Sequence, residues 1–380
     1  MTIDLTAESI VSFRYEKHSL GVFRSEKDVV ELSRLVCGLH SQVDSACWQI
    51  ASTRTRKPLK KEALWGTREL IRTWLPRGTL HTIFEEDLDC WVSVLTEQHK
   101  QSPPTDSWLK QHGCTPAHLK EITDAVGAVL DGEPQTREEL VNRICQHIGN
   151  SDLSAVLRSG WGTLLKPAAA HGFLVFGPPA NRRSTFVNPR HWLDRELRFV
   201  DPLEARSTLV SQFLSINGVA SINDIASWLG DRPSMVRKWI QTIAPPLSEV
   251  TVNGRQGFFS SPKVIDSIND VQTVEIHDDI TVLPMFDPYV LSPISHRSWT
   301  ISKDVPRTDI FRSAGWVTGT VLSRGIVIGT WRTDSPKKGV RKIELNLART
   351  ISSNQKKALR HEIELLFSPN LQDLKLNFRK

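Results

Sequence analysis

The chain has 380 residues, 39% hydrophobic and 24% charged, which excludes disordered, fibrous and collagen-like classes and suits two or three globular domains. A formal charge of +6 is compatible with a polyanionic partner without requiring one. Cys37, Cys47, Cys90, Cys114 and Cys145 form no CxxC pair, so a disulfide framework is not expected and a reducing cytoplasm fits.

The N-terminus, "MTIDLTAESIVSFRYEK", lacks a basic region followed by an apolar core, and no run approaches the ~18 apolar residues that span a bilayer. A soluble cytoplasmic protein without membrane contact is the expectation. Residues 26–39, "EKDVVELSRLVCGL", carry an apolar helical face. The polar group His40, Ser41 and Gln42 follows, before an apolar pattern resumes. "KEALWGTRELIRTWLP" (61–76) reads as another helix and "RGTLHTIF" (77–84) as a short strand. "EEDLDCWVSVLTEQ" restarts a helix with acids in its first turn, and "KQSPPTDSW" is a Pro-rich break.

Beyond residue 115 the pattern becomes periodic on a larger scale. A Thr-Pro start opens a helix that Gly132 should end, a capping box from Thr136 to Glu139 opens a second, and residues 152–172 read as a third. "FLVFGPPANRRSTFVNP" then reads as two strands joined by a basic loop. The same order recurs from 201 to 261: three helices, then a hairpin around Asn253-Gly254. Three helices followed by a two-stranded ribbon is the winged helix-turn-helix layout, in which the third helix can enter a DNA groove while the hairpin touches backbone. Arg182, Arg183, Arg237, Lys238 and Arg255 are the phosphate-contact candidates on these helices and wings, although such units also dock proteins or serve structure alone. The last third alternates like an antiparallel sheet, and "SSNQKKALRHEIELLFS" reads as a closing helix. The expected fold is therefore α+β: tandem winged helix-turn-helix units with a β-rich C-terminal part, divided as 1–114, 115–200, 201–262 and 263–380.

Chemical motifs are sparse. His112, Cys114 and His118 lack a second ligand cluster, so no metal site is expected. There is no Gly-rich phosphate loop, GxSxG elbow or dinucleotide fingerprint. On spacing alone His40 and Gln42 read as packing or capping groups more readily than as a chemical pair. Trp48, Trp74, Trp228 and Trp239 sit at apolar helical positions and read as core.

Three stretches taken together and in order, "LIRTWLPRGTLHTIFEEDL" (70–88), "VLPMFDPYVLSPISHRS" (282–298) and "GTVLSRGIVIGTWR" (319–332), resemble the AlkZ/YcaQ winged-helix DNA glycosylases over nearly the whole chain. The resemblance implies tandem winged helices around duplex DNA, removal of bulky N7-alkylated purines, unhooking of interstrand crosslinks in some members, and self-protection of antibiotic producers. The family's catalytic motif, Gln, an apolar residue, then Gln or Asp after a Gly-Leu pair, falls here on His40, Ser41 and Gln42. His at the first position is a minority version, and Ser departs from the usual apolar residue.

A cationic N7-alkylguanine is already a good leaving group, so what remains is to hold a water against C1′ and stabilise an oxocarbenium-like sugar. The resemblance thus implies that His40 positions and partly deprotonates the water while Gln42 orients it. Asp44 is either a sugar-charge stabiliser or a solvated helix-start acid. Arg77, Thr79 and His81 alternate along the expected strand and either line the same cleft or serve structure. Asp287 and Tyr289 read as a tie between the C-terminal sheet and the helices, and Arg297 as a phosphate contact. The implied partner is double-stranded DNA carrying alkylated guanine, bound by a monomer that is nucleoid-associated when on DNA and needs no metal or organic cofactor. The contrasting reading is a winged-helix DNA-binding regulator without catalysis, and a third is an inactive protein that sequesters a toxin or its adduct.

Overall fold

Capping chemistry sets most helix starts. Thr136 accepts from the Glu139 amide while the Glu139 carboxylate accepts from the Thr136 amide, opening Arg137–Ile148; Ser221 and Asp224 do the same for Ile222–Leu229. The computed structural model describes residues 3–57, 59, 61–65, 67–158, 162–181, 183–271, 279–333, 340–367 and 373–378. The chain divides into two compact units, one of residues 62–209 and one of 1–61 with 210–380.

In the 62–209 unit, the expected helix over 61–76 is corrected. Lys61–Leu64 is a single 3-10 turn, and Leu70–Leu75 is a strand paired antiparallel with Thr79–Phe84, from Leu70 opposite Phe84 to Leu75 opposite Thr79. Leu70, Ile71, Trp74 and Leu75 fit a helical stripe, but Ile71, Thr73 and Trp74 favour a pleated surface and the partner strand decides. Pro116–Val129 starts under a Thr115 cap and stops at Val129, short of Gly132. The third expected helix is divided into Leu153–Arg158, a 3-10 turn Thr163–Leu165 and Lys166–Ala170, with Gly162 left-handed at φ 74°. The hairpin Val175–Ala180 with Arg183–Val187 comes next. Strands run in the order Thr79–Phe84, Leu70–Leu75, Val175–Ala180, Arg183–Val187, Gln135–Thr136. Trp74, Ile122, Val126, Ile144, Leu165 and Phe186 belong to one buried cluster.

In the other unit, Pro202–Asn217, which crosses the boundary, is followed by Ile222–Leu229, Pro233–Trp239 and the hairpin Ser248–Val252 with Arg255–Ser260. Asn253 and Gly254 both turn through positive φ, as a tight hairpin requires. Ile3–Leu5 adds in parallel to Ser248–Val252, Ile3 lying opposite Val250. The helix Ala7–Lys17 then packs Ile10 and Phe13 against Val219, Val250 and Phe258.

The C-terminal sheet runs Thr281–Leu283, Gly319–Ser323, Ile326–Thr333, Val340–Leu347, Asp373–Phe378. Two expectations change here. The last pair is parallel, so the sheet is mixed, and Ser353–Phe367 does not close the chain but connects these two parallel strands. That helix buries Leu359, Ile363 and Leu366 with Val282, Val321, Ile343 and Leu345. Among the described residues, no helix is long and apolar enough to cross a membrane.

Candidate active site

The expected helical face over 26–39 ends early. Asp28 caps Val29–Leu35 with a capping box, and the chain then turns through Cys37 at φ 56° and Gly38 at φ 100°. The Gly38 amide donates to the Ser33 carbonyl at 2.8 Å, closing the turn. Leu39–His40 is a two-residue strand, and Val43 is again extended just before Asp44–Ser52 begins. The polar group therefore sits on a short connection between two helices, not at a bend within one.

On this connection His40 and Gln42 face different surroundings. His40 is 6% exposed, and its imidazole lies flat on Phe286, with centroids 4.5 Å apart and planes within 4°. Gln42 is exposed. Ser41 is buried and donates to the Leu39 carbonyl at 2.9 Å, pinning the segment between them. Asp44 is an exposed acid in the first turn of its helix, where the backbone amides favour a negative charge.

Phe286 is held in place through its neighbours Asp287 and Tyr289. It takes φ 60°, a region that strains an L-residue. Next to it, Asp287 is fully buried, pairs with both terminal nitrogens of Arg54 at 2.7 and 2.8 Å, and caps Tyr289 through its amide at 2.9 Å. The Tyr289 hydroxyl donates to the Gly325 carbonyl at 2.7 Å. Asp287 and Tyr289 thus join the segment 281–291 to Arg54 and to the C-terminal sheet. Phe286 and Arg54 carried no functional signal in the sequence; "MFDPY" marks a turn, but nothing local pairs it with His40.

Arg77, Thr79 and His81 lie in the 62–209 unit, whereas His40, Ser41, Gln42 and Asp44 lie in the other. The three do not all alternate along one strand. Arg77 is in the turn Pro76–Gly78 at φ 63°, exposed, while Thr79 and His81 share one face of Thr79–Phe84. Thr79 donates to the Pro76 carbonyl and the His81 Nδ1 is 3.2 Å from the Thr79 carbonyl. Desolvation pushes His81 down to about 4; the Thr79 carbonyl opposes this, and the Arg77 charge reinforces it. The ring is neutral at pH 7.

Of the basic candidates, Arg182 lies outside the described residues. Arg183 is exposed and 3.2 Å from Glu138. Arg237 and Lys238 are exposed on Pro233–Trp239, and Arg255 is exposed at the start of its wing strand. Arg297 is half-buried: its guanidinium lies 3.7 Å over the Phe311 ring and donates to the Leu291 carbonyl at 3.0 Å, so it has intramolecular partners that the sequence did not indicate. His112 packs on Trp108 and places Nδ1 2.8 Å from its carbonyl, while the Cys114 thiol is turned to the Thr115 carbonyl.

A profile of the family described as "DNA glycosylase AlkZ-like" matches residues 34–368. A Streptomyces sahachiroi protein named "Interstrand DNA cross-link repair glycosylase" is 29% identical over 315 residues, covering 81% of this chain and 83% of that one. The solved structure of "Streptomyces sahachiroi DNA glycosylase AlkZ" superposes with a TM-score of 0.81 at 24% identity, covering 99% of this chain and 100% of that one. The protein is a DNA glycosylase, an enzyme that hydrolyses N-glycosidic bonds in DNA. It belongs to the AlkZ-like family.

Proposed function

We propose that this enzyme releases bulky N7-alkylguanine lesions from duplex DNA, interstrand crosslinks among them, leaving an abasic site. The observation that carries this reading is the connection at 39–42, where a buried imidazole locked flat on Phe286 precedes an exposed amide by two residues. The stack fixes the imidazole plane, so a ring nitrogen can accept a proton from a water whose other hydrogen bond goes to the Gln42 carbonyl. The cationic base leaves without a general acid, and a positioned water then traps the sugar cation. The name of the Streptomyces sahachiroi relative supports crosslinks as part of the substrate range.

The two runs of three helical stretches and a hairpin support a tandem winged-helix reading, with Arg183, Arg237, Lys238 and Arg255 neutralising phosphates. The four sequence segments remain part of this proposal; the compact units cut the first of them between Lys61 and Glu62 and the third between Leu209 and Val210. A monomer working in the cytoplasm, for repair or for self-resistance to a genotoxic natural product, completes it.

The test is base release from a panel of N7-guanine adducts and crosslinks. His40→Ala and Gln42→Ala should each lower the single-turnover rate by about 100-fold or more while duplex affinity stays near wild type. Full activity in His40→Ala would remove its role, and a rate that does not vary between roughly pH 5 and 8 would leave it only positioning the water. Tight binding of plain duplex with no base released from any adduct would overturn the reading of the substrate.

A further inference from the structure

The Phe286 ring that lies against His40 has a second aromatic neighbour. Trp316 meets it edge to face, with centroids 5.1 Å apart and planes at 73°, so His40, Phe286 and Trp316 form a continuous series of three rings. The first two are buried, but Trp316 is 44% exposed. Part of the indole is therefore open to solvent and available for a planar group to cover.

The segment that presents Trp316 is rigidly built. Phe311 and Val317 form an antiparallel bridge, the Arg312 amide donates to the Trp316 carbonyl at 2.8 Å, and Ala314 and Gly315 turn the chain through left-handed φ values of 56° and 72°. At its base Phe311 is covered by the Arg297 guanidinium at 3.7 Å. Phe286 packs against the indole at 5.1 Å between centroids. Such a ring loses little conformational freedom when a planar group stacks on it.

We infer that Trp316 is a specificity-determining residue that stacks on a planar aromatic substituent carried at N7 of the damaged guanine. This deepens the proposed function and rests on His40 and Gln42 addressing the sugar. One ring, Phe286, separates Trp316 from His40, and C1′ and the N7 substituent leave the five-membered ring of guanine on opposite sides, so with His40 addressing the sugar the indole is available to the substituent. The preferred substrates are then adducts of polycyclic aromatic alkylating agents, in preference to small alkyl lesions.

The experiment compares wild type, Trp316→Ala and Trp316→Phe on three duplexes: unmodified, carrying 7-methylguanine, and carrying an N7-guanine adduct with a fused polycyclic group. Both base release and dissociation constant are measured. Trp316→Ala should weaken affinity for the polycyclic adduct, relative to unmodified duplex, by about tenfold or more, leave the 7-methylguanine duplex within about twofold, and recover most of the loss as Trp316→Phe. An unchanged ratio for the polycyclic adduct would overturn the inference. So would an equal loss on all three duplexes that Phe does not restore, since that marks a structural role. Absence of base release by the wild type would defeat the proposed reaction, while the affinity ratio would still decide the role of Trp316.

Discussion

Arg54 and Asp287 are both completely buried and face each other as a bidentate ion pair. Removing one charge leaves the other stranded in low dielectric, which costs about 3–5 kcal/mol. Asp287→Asn keeps the shape and the cap on Tyr289 but abolishes the ion pair. It should destabilise the protein by about 3 kcal/mol in denaturant unfolding and lower base release, because Phe286 at φ 60° is held by its neighbour. A loss below about 1 kcal/mol would show that Arg54 is satisfied by the Ile50 carbonyl and Thr53 hydroxyl alone. At this scale the position of His40 and Gln42 after a Gly-Leu pair is plain from the sequence, and the resemblance supplied the role proposed for them. Phe286 was not legible, because stacking on His40 depends on a tertiary approach that no local pattern encodes. The Phe311 ring beneath the Arg297 guanidinium was hidden for a related reason, since that contact too joins segments that no local pattern pairs.

The connection carrying the polar pair turns at Gly38. At φ 100° an L-residue is strained by about 1–3 kcal/mol, and the Gly38 amide must still reach the Ser33 carbonyl. Gly38→Ala should therefore cost about 1–2 kcal/mol of stability and lower base release disproportionately, because relieving the strain re-aims His40. Gly149→Ala is the comparison: it also has a positive φ, 74°, but an added Cβ would meet nothing within 4 Å. Its stability should fall by about 1 kcal/mol with turnover unchanged. Equal activity losses in the two variants would sink the positional argument. Elements with their own caps and turns were legible, as at Thr136, Ser221 and Asn253-Gly254. The strand Leu70–Leu75 was not, because its apolar spacing satisfies both periods and the hairpin partner Thr79–Phe84 decides between them. The terminal strand Asp373–Phe378 escaped for a different reason, its parallel place beside Val340–Leu347 requiring a long connection.

Across the molecule, pairings between distant segments were the least legible: Ile3–Leu5 beside Ser248–Val252 joins the two ends of a long chain path, and no local signal points to it. The same long-range packing buries titratable groups that sequence treats as ordinary. His18 is fully buried, edge-on to Tyr289 at 5.2 Å; desolvation holds it well below the usual 6.5, and the charges of Arg14 and Arg54 add to this. His296 is lowered well below 6.5 by desolvation and then by Arg14, which itself stays cationic with its pKa lowered to about 10 by burial. His81, only half-buried, is lowered to about 4 by desolvation. In each case the unfolded chain takes up a proton near 6.5 before the folded one does, so the native state loses stability as pH falls from 6.5, for His81 down to about 4. Above 6.5 both states are neutral and the contribution is flat. Each such histidine adds up to about 1.4 kcal/mol per pH unit to the slope within its window. Asp279, raised chiefly by desolvation, acts in the opposite sense near the carboxylate range, so the histidine effect is cleanest above about pH 5. Denaturant unfolding between about pH 7.5 and 5 should show stability dropping below pH 6.5, and His18→Gln should flatten that drop even if it lowers stability at pH 7.5. A His18→Gln slope equal to that of wild type would mean that His18 is not held neutral by the fold, and the acid sensitivity would have to come from the other buried histidines.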